Sequence, residues 1–241
     1  MHRPDDPDAL AADVLYEDNH LIAINKHPGD IVQGDKTGDM PLSELLKAYI
    51  ARKYNKPGEA FLGVVHRLDR PVSGVVLFAR TSKALARMNE LVKERHIEKI
   101  YWAVTLGQPD PPEGRLVEYL RRDEKKNKSF VARGPVQGAK EAVLDYRMLG
   151  MGDRYAFLEI KLHTGRHHQI RAQLSHAGCL IRGDLKYGAP RSNPDGSIHL
   201  HARSMSFIHP VKGIPLSISA PPPDDPLWNA MAAAVGESTG S

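Results

Sequence analysis

The 241-residue sequence predicts an α+β fold, a mixed and largely antiparallel sheet core with flanking helices. Three observations carry that expectation. Strand-like segments outnumber helix-like ones, most successive strands are joined through hairpin-length turns, and helical periodicity is confined to three separated stretches. A doubly wound sheet would instead alternate strand and helix along the chain.

Taken in order, "VLYEDNHLIAINKHPGDIV" (residues 14–32) offers two apolar strands around a polar turn at Glu17, Asp18 and Asn19, and Pro28 and Gly29 break the pattern. In "MPLSELLKAYIARKY", Leu42, Leu45, Leu46, Tyr49 and Ile50 recur at helical spacing, with Asp39 and Pro41 as start signals. Gly63 to Ala79 reads as strand, loop and strand. "TSKALARMNELVKERH" is a second helix with Leu85, Met88, Leu91 and Val92 on its apolar stripe and Thr81 or Ser82 as cap. "KIYWAVTLG" is a strand, "RRDEKKNKSFVARG" a charged excursion, and "AVLDYRMLG" with "YAFLEIKLHTG" a strand pair. "RHHQIRAQLSHAG" is a short helix closed by Gly178, and "IHLHARSMSFIHP" is a late strand. Residues 1–11 read as a disordered lead-in, 12–228 as one catalytic domain and 229–241 as a flexible tail.

Composition narrows the function. Thirty-three Lys and Arg against 29 Asp and Glu give +4, compatible with a local basic face for a polyanion. Cys179 is the single cysteine, so an intrachain disulfide and a cysteine-based zinc site are both excluded, and a reducing cytoplasm is the expected location. No apolar run approaches the roughly 18 residues of a membrane span, and the acidic, proline-containing start has no secretory apolar region. No repeat or apolar heptad points to an obligate protein partner, so a monomer is expected.

Four constellations carry chemistry. In "HRLDRPVSG", Asp69 lies between Arg67 and Arg70, after His66, in a turn shaped by Pro71 and Gly74. That arrangement suits an ionised nucleophilic or general-base carboxylate, and equally a turn aspartate with two surface arginines. In "LHTGRHHQIRAQLSHAG" a strand ends at Thr164-Gly165 and opens into a helix beside Arg166, His167 and Arg171. Such a junction can receive a phosphate or a catalytic carboxylate, or be an ordinary helix start. Tyr101 and Lys99, two apart on a strand, share a face and serve either packing or a site. Arg121, Arg122, Lys125, Lys126, Lys128 and Arg133 oppose only Asp123 and Glu124 in the charged excursion, which reads as a solvated loop or a polyanion contact. His163, His167, His168, His176, His199 and His201 have no Asp-rich or His-x-x-Glu ligand set with them, so no metal is expected.

Together "LYEDNHLIAINKHPG", "GVVHRLDRPVSGVVLFART", "ERHIEKIYWAV", "LHTGRHHQIRAQLSHAG" with "GDLKYG", and "LHARSMSFIHPV" resemble the RluA family of RNA pseudouridine synthases from about Val14 to Trp228. The resemblance implies the pseudouridine synthase fold with a central catalytic cleft. It implies Asp69 as the catalytic aspartate, Tyr101 packing on the uracil as the candidate to take its C5 proton, and Arg171 as the cation paired with the aspartate. Arg67 would fill the space left by a flipped nucleotide. His66, Arg70, Lys99, Arg166 and His167 would contact RNA, as would Arg121, Arg122, Lys125 and Lys126 of the excursion. Many members have Thr where this chain has Val72, and many carry a further RNA-binding domain in front, where this sequence has about a dozen residues before the first motif. The implied substrate is a uridine in ribosomal or transfer RNA, and the implied reaction needs no cofactor. The alternatives are a non-catalytic RNA-binding or ribosome-assembly protein on the same fold, or a metal-dependent hydrolase using Asp69 with the histidines.

Overall fold

In the computed structural model, which describes residues 7–35, 37–234 and 236, the apolar run Val75–Ala79 lies in a strand, Ser73–Ala79, buried along its whole length. In chain order the elements are β1 (Val14–Glu17), β2 (Leu21–Lys26), α1 (Leu42–Lys53), β3 (Gly63–Val64), β4 (Ser73–Ala79) and α2 (Ser82–Lys93). β5 (Glu98–Leu106), β6 (Glu113–Asp123), β7 (Lys128–Ala132), β8 (Ala139–Met151) and β9 (Tyr155–Leu162) follow. Then come α3 (Gln169–His176), β10 (Leu180–Ile181), β11 (Leu200–Ile208), β12 (Pro215–Ser219) and α4 (Pro226–Ala234). The α+β expectation is met. The chain divides into two compact units, Met1–Ile97 with Arg203–Pro221 and Glu98–Ala202 with Pro222–Ser241. No helix among the described residues is long and apolar enough to cross a membrane.

In the first unit, β1 and β2 form the expected hairpin. Asp18 closes it by accepting hydrogen bonds at Oδ1 from the backbone N–H groups of His20 and Leu21, each 2.8 Å. β2 pairs antiparallel with β4 from Leu21↔Ala79 to Lys26↔Gly74, and β3 also pairs with β4. Strand parity sorts the apolar residues. Ile22, Ile24, Val76 and Phe78 pack with Leu42, Leu46 and Ile50 of α1. Leu21, Ala23, Val75 and Leu77 pack with Ala84 and Met88 of α2 and with Met205, Phe207 and Ile218 of the β11–β12 hairpin. Each large side chain so buried contributes roughly 1.5–3 kcal/mol. Thr81 is the cap of α2, its hydroxyl accepting from the Ala84 N–H at 3.1 Å. Asp39, expected as a start signal for α1, instead pairs with Arg70 at 2.6 Å, and Pro41 stands at the N-cap.

The second unit is an antiparallel sheet in the order β5-β9-β8-β6-β7, with β10 on β5. Trp102, Val104 and Phe157 form one core with Trp228 and Met231 of α4, the aromatic rings meeting edge to face at 5.1 and 6.0 Å. Leu120, Ala142, Ala172 and Tyr187 form another.

Three expectations are corrected. The charged excursion is a hairpin, β6 and β7 paired from Tyr119↔Ala132 to Asp123↔Lys128, because alternate inward residues, Leu120, Ser129 and Val131, suffice to seat it. The lead-in is ordered from its seventh residue: Pro7–Asp13 is a 3-10 helix whose Leu10 is fully buried with α1. The expected tail is helical through Ala234, started by Asp225, whose carboxylate accepts from the N–H groups of Leu227 (2.9 Å) and Trp228 (3.2 Å), with Pro226 at the first helical position. Residues 1–6 of the expected lead-in, and 235 and 237–241 of the expected tail, lie outside the described residues.

Glu17 ties β1 to α1 and β4. Its nearly buried carboxylate accepts from Lys53 (2.6 Å), Arg80 (3.0 Å), Tyr49 (3.2 Å) and Tyr54 (2.9 Å). Burial alone would raise its pKa, but the bonds from Lys53 and Tyr54 and the charges of Lys53 and Arg80 outweigh burial and lower it. A carboxylate whose pKa is depressed by folding adds stability above its ordinary titration range and loses it as the pH falls. Glu17→Gln is expected to destabilise the protein by about 3 kcal/mol at neutral pH, leaving Arg80 buried beside a neutral partner. In urea titrations the difference from wild type should narrow below about pH 4.3, and a gap independent of pH would contradict the charge argument.

Candidate active site

The residues singled out by the sequence fall into two groups, one in each unit. In the first unit, Asp69 sits half-buried on the loop between β3 and β4, with Arg67 and Arg70 exposed on either side. The loop is held through its backbone. Lys26, at the end of β2 and 0% exposed, donates from its ammonium to the carbonyls of His27 (3.0 Å), Arg70 (3.0 Å) and Val72 (2.6 Å). An ammonium has three donors, and three carbonyls meet them. The Gly29 N–H donates to the Arg70 carbonyl as well, at 2.9 Å, and the Val72 N–H donates to the Asp69 carbonyl at 3.0 Å. At the loop's end Gly74 has φ 112°, a backbone conformation open to glycine and strained for other residues. His66 faces inward, its Nε2 accepting from the Leu77 N–H at 3.1 Å, so this histidine fastens the loop to β4.

In the second unit, Tyr101 and Lys99 share a face of β5, as expected, and Trp102 and Val104 occupy the opposite, core-facing side. Tyr101 is buried. Burial without an opposing carboxylate lowers the pKa of Lys99. Arg171, on α3, is 4% exposed and makes a bidentate pair with Asp184, itself 2% exposed, at 2.7 and 2.8 Å. This partner was not foreseen. The guanidinium also lies over the Tyr187 ring at 5.1 Å. Asp184 follows Gly183, where a Cβ would lie 2.7 Å from the Ser197 carbonyl oxygen, so only glycine allows this approach.

Tyr187 then joins this pair to the β6–β7 hairpin. Its hydroxyl accepts from the Ser129 N–H (2.9 Å), donates to the Ser129 carbonyl (3.1 Å), and lies 3.0 Å from His168 Nδ1. His167 spans from Ser129 Oγ (2.9 Å) to Asn127 Oδ1 (3.1 Å), and the Asn127 oxygen also accepts from Arg122. Arg166 donates from Nε to the Glu141 carbonyl at 2.8 Å. The strand-to-helix junction is itself fixed by Gln169, whose side-chain oxygen accepts from Thr164 Oγ1 and the Arg166 N–H. His168, before α3, has φ 52°. Arg121, Lys125 and Lys126 project from the hairpin into solvent with no carboxylate at ion-pair distance among the described residues. Among those residues no group of three or more His, Cys, Asp and Glu side chains is placed to hold a metal ion.

The sequence reading missed Lys26, Asp184, Tyr187, Ser129 and Asn127. "NKHPG" ends an apolar segment with Lys26 and "GDLKYG" sets Asp184 and Tyr187 beside glycines, but neither stretch tells which distant group each side chain meets. Ser129 and Asn127 had no such signal, since Tyr187 and His167, which they meet, are more than 35 residues away.

A model of the family described as RNA pseudouridylate synthase matches residues 20–176, which include Asp69, Tyr101 and Arg171. An uncharacterized RNA pseudouridine synthase of Chlorobaculum parvum is 32% identical over 242 residues, covering 91% of this chain and 73% of that protein. The ribosomal large subunit pseudouridine synthase D of Xanthomonas campestris is 33% identical over 243 residues, covering 91% and 68%. Among solved structures, human RNA pseudouridylate synthase domain containing 4 is similar with a TM-score of 0.77 at 26% identity, covering 95% of each chain. Human RNA pseudouridylate synthase domain containing 1, at 24% identity and a TM-score of 0.69, shares the fold over 90% of this chain and 86% of its own. On the family match across most of its length and on these relatives, the chain belongs to the RNA pseudouridylate synthase family and is an RNA pseudouridine synthase.

Proposed function

We propose that the enzyme isomerises a uridine of large-subunit ribosomal RNA, acting as a cytoplasmic monomer without a cofactor, with Asp69 as its catalytic carboxylate. The RNA class is supported by the relatives named ribosomal large subunit pseudouridine synthase D. The observation that carries the role of Asp69 is its loop, pinned from within by Lys26 on the carbonyls of Arg70 and Val72 while the carboxylate stays half-exposed. Backbone anchoring fixes the path of the loop and so the position of the residue it carries, which is what a positioned catalytic group requires.

The chemistry then follows from conservation of atoms. The N1–C1′ bond of uridine breaks, the uracil turns, C5 bonds to C1′, the C5 proton leaves and N1 gains one. Electron deficiency at C1′ needs an anionic group, as in glycoside hydrolysis, and Asp69 supplies it as nucleophile or as electrostatic stabiliser. Tyr101, packed in β5, faces the uracil and takes part in removal of the C5 proton. Arg171, immobilised by Asp184, is the fixed cation of the reaction. Extraction of the target from its stack needs compensation, which Arg67 provides from its exposed position beside Asp69. Arg70, Lys99 and Arg166 position the RNA, together with Arg121, Arg122, Lys125 and Lys126 of the hairpin, while His66 holds the loop that carries Arg70 and His167 holds the hairpin.

Tritium release from ribosomal RNA transcripts labelled at uracil C5 tests the assignment. Wild type is expected to release tritium and Asp69→Asn to release none above background; release by the variant at the wild-type rate would remove Asp69 from the mechanism. Transfer RNA transcripts run alongside decide the substrate class. Lys26→Met should lower stability by roughly 1–3 kcal/mol, since three carbonyls lose a buried donor, and should slow tritium release at temperatures where the variant is fully folded. Wild-type release from the folded variant would show that the Asp69 loop needs no such anchor.

A further inference from the structure

The outward face of the β6–β7 hairpin carries an aromatic ring that the fold does not use. Along β7, Ser129 and Val131 point inward, the first to Tyr187 and His167 and the second to the core of Leu120, Ala142, Ala172 and Tyr187. Phe130 lies between them on the opposite side and is 41% exposed. Its cross-strand neighbour is Arg121. Two ammonium groups lie by the ring, Lys126 at 5.9 Å and Lys128 at 5.3 Å from its centre. Lys128 is held there by its bond to the Lys186 carbonyl and by the Tyr187 ring at 4.7 Å. An exposed phenyl ring ringed by cations combines the two elements that bind unpaired nucleic acid, a flat apolar surface for a base and positive charge for its phosphates.

We propose that Phe130 is a stacking platform for an unpaired base of the substrate RNA, with Arg121, Lys126 and Lys128 receiving the adjoining phosphates. The proposal rests on the reading that this hairpin contacts RNA, and extends it from charge to base stacking. Its occupant is a single-stranded segment, because a base inside a duplex has both faces already covered. The outward orientation also means that the ring can be changed while the inward anchors of the hairpin stay in place.

Binding by the full chain, measured by fluorescence anisotropy with a single-stranded uridine-rich RNA oligonucleotide at several salt concentrations, tests this. Phe130→Ala and Phe130→Leu should each weaken binding by about 5- to 150-fold, with Phe130→Tyr near wild type. Because no charge is altered, the slope of log affinity against log salt should remain that of wild type. Lys126→Gln with Lys128→Gln should instead flatten the slope. The same strand annealed to its complement should show little dependence on Phe130. Wild-type affinity of Phe130→Leu for the single strand, or an equal loss on the duplex, would overturn the proposal. In that event a salt slope still sensitive to the two lysines would preserve the hairpin as an RNA contact, whereas an unchanged slope would remove that reading as well.

Discussion

A lysine with no exposed surface lies where the central strand pair gives way to the loop carrying Asp69, and the loop's path depends on it. Removing an ammonium from water costs several kcal/mol, so Lys26 is tolerable only with its donors satisfied. The carbonyls of His27, Arg70 and Val72 satisfy them, and Arg70's carbonyl is held a second time by the Gly29 N–H. The arrangement is therefore mutually enforcing. It also explains why a charged residue terminates a strand that opens with four apolar residues: β2 delivers the ammonium to the end of a strand pair covered on both faces.

The second unit uses the same logic with different chemistry. Arg171 and Asp184 form a pair too buried to be broken without leaving a naked charge. Tyr187 lies against that pair with its ring and grips the hairpin with its hydroxyl. His167 and Gln169 then fix the junction before α3 to the same hairpin and to β8. A cationic surface that would otherwise repel itself is thus mounted on a buried ion pair and the hydrogen bonds that extend from it.

Much of this was legible in the sequence. The β1–β2 hairpin, the α1 and α2 helices and the strands around Tyr101 all announced themselves, because apolar periodicity and turn residues act locally. Asp69 stood out as a carboxylate set beside apolar runs, whereas the roles of Tyr101 and Arg171 came only from the family resemblance, since a strand tyrosine and a helix-start arginine serve packing and surfaces equally well. The β6–β7 hairpin was not legible, since its inward residues are few and its seat is formed by Tyr187 and His167 from far along the chain. Asp184 was hidden for a related reason: bidentate pairing with Arg171 is a tertiary fact, and a lone aspartate after glycine resembles any turn. The helical ends were missed because Leu10 and Trp228 find their cores only after the sheets exist.

The alternation of β7 has an evolutionary consequence. Its inward residues determine whether the hairpin is attached, and its outward residues determine what the hairpin touches. Substitutions on the two faces are thus nearly independent, the outward set being open to change at little cost to folding. Where that outward face is the RNA contact proposed above, the bound RNA can change on one side of a strand while the other side stays fastened to Tyr187 and His167.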